Sequence, residues 1–341
     1  MNVVAPGRQP KIEVEHGPIG AARRWLDKFG QVALATVVST WGSAPVPVGG
    51  QLVVAPGERF DGSVSGGCVE ADVIAEAADV VAAGRPKLLE FGILEETAWR
   101  AGLPCGGTIK VLLEPLDRAR DTGYLDAVLA AQRARKALVV LTELATGVHR
   151  VFEADTPMPP EVAAYMTKGE SRLIGGPEGQ TFVQALVPPV RVAIVGATHV
   201  GQVLMDLAKR IGYDVVVVDP RSAFATADRF GGTIALTEWP EASLKSLGLD
   251  SRTAVVALTH AAHLDDEALS AALRSDCLYV GALGSKTTHA KRLERLRAGG
   301  LSDTELGRIH APIGLSIGAK GPAEIAVSIL AEIVKVAGGA A

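Results

Sequence analysis

Apolar and polar positions fall in short blocks along this chain, and each block carries punctuation at its ends. PIGAARRWLDKF (18–29) spaces its apolar residues at a helical period between Pro18 and Gly30, a start and a stop signal for a helix. QVALATVVST (31–40) is short, apolar and β-branched, which predicts a strand. The Gly/Pro loop WGSAPVPVGG separates it from a second strand, QLVVAP. GERFDG reads as a turn. SVSGGCVE then leads into an apolar-periodic helix, ADVIAEAADVVAA, stopped by Gly84. KLLEF and TIKVLLEPL predict strands on either side of GLPCGG (102–107). Further on, residues 122–136 predict a helix, and ALVVLTELATG with RVFEAD a hairpin. PPEVAAYMTK predicts a helix, and RLIGGPEGQTFVQALV two more strands.

From Arg191 the pattern becomes strand, tight turn, helix, strand. RVAIV, DVVVV, TAVVAL and CLYVGAL are uniformly apolar runs separated by helical segments, which predicts a parallel, doubly wound sheet. Pro188 and Pro189 mark the boundary between the two halves. The expected fold class is α/β: an N-terminal mixed α/β domain over 18–187, then a Rossmann-like domain over 188–341. Residues 1–17 are expected to form a flexible arm. With 341 residues, two domains also match the usual domain size.

Composition narrows the class. Apolar residues make up 48% and aromatics 4%, so Ala, Val and Leu must fill the cores. The formal charge is −4, which gives no basic field for nucleic acid. No apolar run reaches the roughly 18 residues of a membrane span. Three cysteines at wide spacing, Cys68, Cys105 and Cys277, do not make a disulfide framework. They suggest a reducing compartment, hence a cytoplasmic protein.

Two cysteines sit in glycine-rich loops. GSVSGGCVE places Ser63, Ser65, Gly66, Gly67, Cys68 and Glu70 where a helix begins, and its small residues are expected to expose backbone amides. A helix N-terminus favours the thiolate form of a cysteine, both a nucleophile and a soft-metal ligand. GLPCGG places Cys105 beside Gly106 and Gly107. Cys277 lies in a predicted strand and reads as core.

In the second half, Gly196 and Gly201 flank a strand-to-helix turn, and Asp219 ends the next strand. A dinucleotide fold uses such glycines for pyrophosphate approach and such an acid for ribose hydroxyls. Thr198 stands where G-x-G-x-x-G requires its middle glycine. THAAHLDD holds His260, His263 and Asp265 after a strand, a spacing that suits either a metal or a capped helix start. Gly284, in GALGSK, and Gly318, in the loop before the last helix, mark two more turns facing the same sheet edge.

These segments resemble a known family. WGSAP, with Ser43, and GSVSGGCVEADV and GLPCGG are similar to the first domain of XdhC/CoxI proteins. VAIVGATHVGQVLMDLA, VVVVDPR, ALTHAAHLDDEAL, YVGALGSK and RIHAPIGLSIGAKGPAEIAVSILAEI are similar to their second. Val46 stands where members often carry Arg. The resemblance implies a chaperone that binds molybdenum cofactor, as molybdopterin or its cytidine dinucleotide, transiently. Such a protein protects the cofactor, assists its sulfuration with a cysteine desulfurase and inserts it into an apo molybdenum hydroxylase. Cys68 would be the cysteine tied to the cofactor and its metal. A homodimer without turnover of its own is expected. The alternative is an NAD(P)-dependent oxidoreductase.

Overall fold

A computed structural model describes residues 17–92, 107–176, 179–226, 228–231 and 233–339. The expected arm, as far as residue 16, lies outside the described residues, as do Cys105 and Gly106. The rest divides between Pro188 and Pro189 into two compact units.

In the first unit the elements run α1 (Pro18–Phe29), β1 (Gln31–Trp41), β2 (Gln51–Ala55), β3 (Arg59–Gly62), α2 (Glu70–Ala83), β4 (Lys87–Phe91), β5 (Thr108–Asp117) and α3 (Arg118–Ala134). They continue with β6 (Leu138–Glu143), β7 (His149–Glu153), α4 (Pro160–Lys168), β8 (Arg172–Gly176) and β9 (Gly179–Leu186). One antiparallel sheet has the order β3-β2-β1-β5-β4 and a second the order β7-β6-β9-β8.

β1 is apolar at nearly every position because both its faces are covered. Val32 and Leu34 pack with Ala22 and Leu26 of α1 and Leu125 and Val128 of α3. Ala33, Ala35 and Val37 pack on the other face with Val73, Ala77 and Val80 of α2. Burying both faces of a strand replaces the usual alternation with a continuous apolar run.

GERFDG differs from its expectation as a turn. Arg59–Gly62 pair with β2 as an edge strand, Leu52 opposite Gly62 and Ala55 opposite Arg59. The turn is confined to Pro56–Glu58, with Gly57 and Glu58 at positive φ, 79° and 56°. Left-handed residues in a three-residue loop let the chain reverse tightly between the two strands. An exposed polar edge strand carries no apolar signal for the sequence to show.

A buried polar pair lies between β5 and β7. His149 Nε2 is 3.4 Å from Glu114 Oε2, its ring stacks on Tyr124 at 4.1 Å, and its Nδ1 meets the Thr142 hydroxyl at 3.1 Å. Burial, helped by the nearby Asp121, pushes the Glu114 carboxyl up to about 8. Burial likewise pushes the His149 imidazole down to about 4.

The second unit contains β10 (Arg191–Val195), α5 (His199–Arg210), β11 (Asp214–Val218), β12 (Ile234–Leu236), α6 (Pro240–Leu247), β13 (Thr253–Ala257) and α7 (Ala262–Leu273). It ends with β14 (Tyr279–Ala282), α8 (Lys286–Ala298), α9 (Asp303–Leu306), β15 (Ile309–His310) and α10 (Pro322–Gly339). The sheet is parallel throughout, in the order β12-β11-β10-β13-β14-β15. This is the doubly wound arrangement, with its switch point between β10 and β13. Separate cores lie on its two faces, one with α6, α7 and α8 and the other with α5 and α10. No helix among the described residues is long and apolar enough to cross a membrane.

Candidate functional site

The loop between β3 and α2 is pinned at both ends. Val64 and Val69 are fully buried in the core beneath α2, and Gly66, Gly67 and Cys68 between them are exposed. Gly66 and Gly67 take φ of 77° and 109°, a pair of left-handed steps that only glycine makes without strain. They turn the chain outward just before Cys68, whose thiol is free and exposed.

A carboxylate organises this loop from below. Glu70 Oε1 accepts from the Ser63 hydroxyl (2.6 Å), Val64 N (3.0 Å) and Ser65 N (2.9 Å). Oε2 accepts from the Ser65 hydroxyl and from Gly67 N (2.9 Å). The remaining amides go to the serines: Gly66 N to Ser63 Oγ, and Cys68 N and Val69 N to Ser65 Oγ, each at 2.9 Å. Burial opposes ionisation of Glu70, but the hydroxyls of Ser63 and Ser65 and the amide of Ser65 outweigh it and hold the carboxyl down to about 2.

This overturns one expectation. The small residues do not leave their amides open, because each N–H from Val64 to Val69 is spent inside the loop. An amide nest binds anions, and here Glu70 is the anion. What the loop offers outward is the Cys68 thiol. The missed signal was local: two serines, two glycines, then an acid in the first turn of a helix, where a negative charge is favoured.

Two other expected positions meet this loop's neighbourhood. A Cβ on Gly107 would lie 2.6 Å from the Ser43 carbonyl and 2.8 Å from that of Trp41, so only glycine permits that approach. A Cβ on Gly66 would lie 3.4 Å from Pro45 Cβ. The WGSAP loop therefore lies against both the Cys68 loop and the start of β5, with Ser43 exposed on it.

In the second unit, Gly196 lets the turn after β10 touch the turn after β13. A Cβ there would lie 2.9 Å from both the Leu258 carbonyl carbon and Thr259 N. Gly201 seats α5 against the strand, since its Cβ would lie 2.7 Å from the Gly196 carbonyl. Thr198 is the cap of α5, its hydroxyl accepting from Gly201 N at 3.2 Å.

Asp219 is fully buried. Oδ1 accepts from Arg221 N (3.0 Å) and Nε (2.8 Å), and Oδ2 from Arg221 Nη2 (2.7 Å) and Ala197 N (2.8 Å). Burial resists its charge, yet these donors hold its carboxyl below the usual range. The acid expected to hold a ribose thus engages the glycine turn through the Ala197 amide.

His260 is exposed in the turn after β13, at φ 59°. Asp265 reaches back to cap the same turn, accepting from Thr259 N (3.1 Å) and from the Thr259 hydroxyl (2.6 Å). The His263 ring packs against Trp239 at a tilt instead, with centroids 5.9 Å apart. Among the described residues no group of three or more His, Cys, Asp or Glu could hold a metal. Gly284 closes the next turn against Thr288. Gly318 is exposed, with no close neighbour for a Cβ. Cys277 is buried core.

Comparison with known proteins agrees with this two-part architecture. Residues 25–92 match the XdhC and CoxI family, and residues 192–333 match the XdhC Rossmann domain. The molybdenum cofactor insertion chaperone PaoD of Escherichia coli is 31% identical over 89% of this chain and 82% of its own length. A probable xanthine dehydrogenase subunit of Bacillus subtilis is 29% identical over 91% of this chain and 94% of its own. A crystal structure described as a xanthine dehydrogenase from Bacillus halodurans superposes with a TM-score of 0.75, at 26% identity, over 95% of this chain and 96% of that one. With a relative this similar along nearly its whole length, and with both halves matched in order, this chain belongs to the XdhC and CoxI family.

Proposed function

We propose that this protein is a molybdenum-cofactor chaperone, and that the Glu70-locked loop presents Cys68 to the molybdenum end of the cofactor. The observation that carries this reading is the spending of every loop amide inside the loop, with a free thiol left outward. A thiol suits a soft, dithiolene-bound metal. The same loop does not suit a phosphate, because Glu70 already fills its amide nest. The cofactor is cargo: when bound, it supplies the molybdenum centre that the client enzyme uses. Ser63, Ser65 and Glu70 hold the loop's shape, and Gly66 and Gly67 project the thiol. Ser43 and Gly107 border it.

The cargo is molybdopterin or its cytidine dinucleotide. The recipient is an apo molybdenum hydroxylase of the xanthine dehydrogenase type, with a cysteine desulfurase supplying sulfur while the cofactor is held. The protein works in the cytoplasm as a homodimer and turns over no substrate itself. The NAD(P)-dependent oxidoreductase reading is disfavoured by the engagement of Asp219 with Arg221 and Ala197. The test is co-purification from cells that make the cofactor, with molybdenum and pterin fluorescence measured in wild type and in Cys68→Ala. Loss in the variant with the fold intact supports the reading.

A further inference from the structure

A groove of about 460 Å³ lies between α2 and β4 in the first unit. Asp72, Glu76 and Asp79 of α2 form one wall, and Leu89, Glu90 and Phe91 of β4 the other. The sheet ends here: among the described residues β4 pairs with β5 on one side and with no strand on the other. Leu89 and Phe91 are partly buried against the core beneath α2. Leu88, which points to the opposite face of the sheet, is 39% exposed. An open strand edge with apolar side chains on both faces is a template for one more strand.

Charge indicates what that strand carries. Asp72, Glu76 and Asp79 share one face of α2 at i, i+4 and i+7 spacing, where like charges repel, and α2 contains no basic residue. Lys87 takes Glu76 at 2.6 Å and Lys110 takes Glu90 at 3.2 Å. Asp72 and Asp79 have no ion pair among the described residues, so the α2 wall stays net negative.

We propose that β4 and the acidic wall of α2 form a docking groove for a basic, extended segment of a partner protein, which adds to β4 as a further strand. Alternate side chains of a strand face opposite ways. Lysine or arginine stems on the α2 side cover Leu89 and Phe91 and carry their charges to Asp72 and Asp79. The apolar side chains between them lie beside Leu88. A second copy of this chain does not fit, because pairing β4 with β4 brings two acidic walls together. The groove lies wholly within the first unit, on the helix that follows the Cys68 loop, and its occupancy requires no cofactor.

The test is binding of short labelled peptides to the full, cofactor-free chain, followed by fluorescence anisotropy. A peptide alternating lysine with leucine should bind saturably, and more weakly as salt is added. The same peptide with glutamate for lysine should not bind. N-methylation of alternate backbone amides, which blocks strand pairing and leaves the charge unaltered, should abolish binding. Asp72→Lys with Asp79→Lys should weaken the apparent affinity about tenfold or more. Glu161→Lys with Glu170→Lys, an equal change of charge at exposed positions in and just after α4, should leave it unchanged. No saturable binding by wild type, binding retained by the N-methylated peptide, or an equal loss in both double variants overturns the proposal. So does binding that fades as the chain is concentrated, which would place a second copy on β4.

Discussion

Ser65 and Glu70 are joined twice: the Ser65 amide donates to Oε1 at 2.9 Å and its hydroxyl to Oε2. The same hydroxyl oxygen accepts from Cys68 N and Val69 N, each at 2.9 Å. The position of the thiol is thus set through one serine by one carboxylate.

Glu70→Gln should therefore loosen the loop. A glutamine places an NH2 among groups that are all donors, so at least two hydrogen bonds are lost. The expected cost is about 2 kcal/mol, read as a lower urea midpoint. The rate of Cys68 modification by a neutral thiol reagent should change with it, while Glu76→Gln on the exposed face of the same helix should leave that rate unaltered.

The two described cysteines should separate chemically. In a Cys105→Ser background, Cys68 should react at once in the native protein, because it is exposed and free. Cys277 should react only on unfolding, since burial raises its thiol pKa against the opposing Ser275 hydroxyl. Mass spectrometry after brief labelling reads both. Rapid native labelling of Cys277 would contradict its place in the core.

Stability should fall as pH rises from about 6.5 to about 8. Folded Glu114 keeps its proton to about 8, against an ordinary 4.5. Folded His149 stays neutral down to about 4, against 6.5. Between 4.5 and 6.5 the folded chain holds the Glu114 proton and the unfolded chain the His149 proton, so the two effects offset. Above 6.5 only Glu114 counts: the folded state holds one proton more and loses up to about 1.4 kcal/mol per pH unit. Glu114→Gln should flatten that slope in urea titrations at a series of pH values.

Nicotinamide dinucleotides should bind weakly, and Thr198→Gly should not rescue them. The turn after β10 is held by Asp219 from within, so removing the Thr198 side chain frees space without freeing the acid. Calorimetry with NADH should show no saturable heat for either protein. Asp219→Ala should cost about 2 kcal/mol, since it strands the Ala197 amide and the partly exposed Arg221.

Much of the fold was legible in the residues. α1 lies between Pro18 and Gly30, and the four apolar runs from Arg191 onward became neighbouring parallel strands, because each signal is local. β3 was not legible, since an exposed edge strand of Arg, Phe, Asp and Gly has no apolar period. The site was legible as residue types but not as roles. Ser65 and Glu70 stood out by spacing, yet the direction of the Glu70 side chain, inward to the amides, depends on Val64 and Val69 being anchored beneath it. Asp219 was expected to be a ribose ligand; that its carboxylate also takes the Ala197 amide, 22 residues back along the chain, is a tertiary contact that strand periodicity does not encode.

The central claim, that Cys68 on its Glu70-locked loop holds the cofactor, is tested most directly by cofactor retention. Wild type, Cys68→Ala and Cys277→Ala are isolated from cells making the cofactor, passed through gel filtration, and assayed for molybdenum and pterin per chain. The account predicts retention in wild type and Cys277→Ala and its loss in Cys68→Ala, with the thermal midpoint of the apo proteins unchanged. Retention by Cys68→Ala equal to wild type would contradict it.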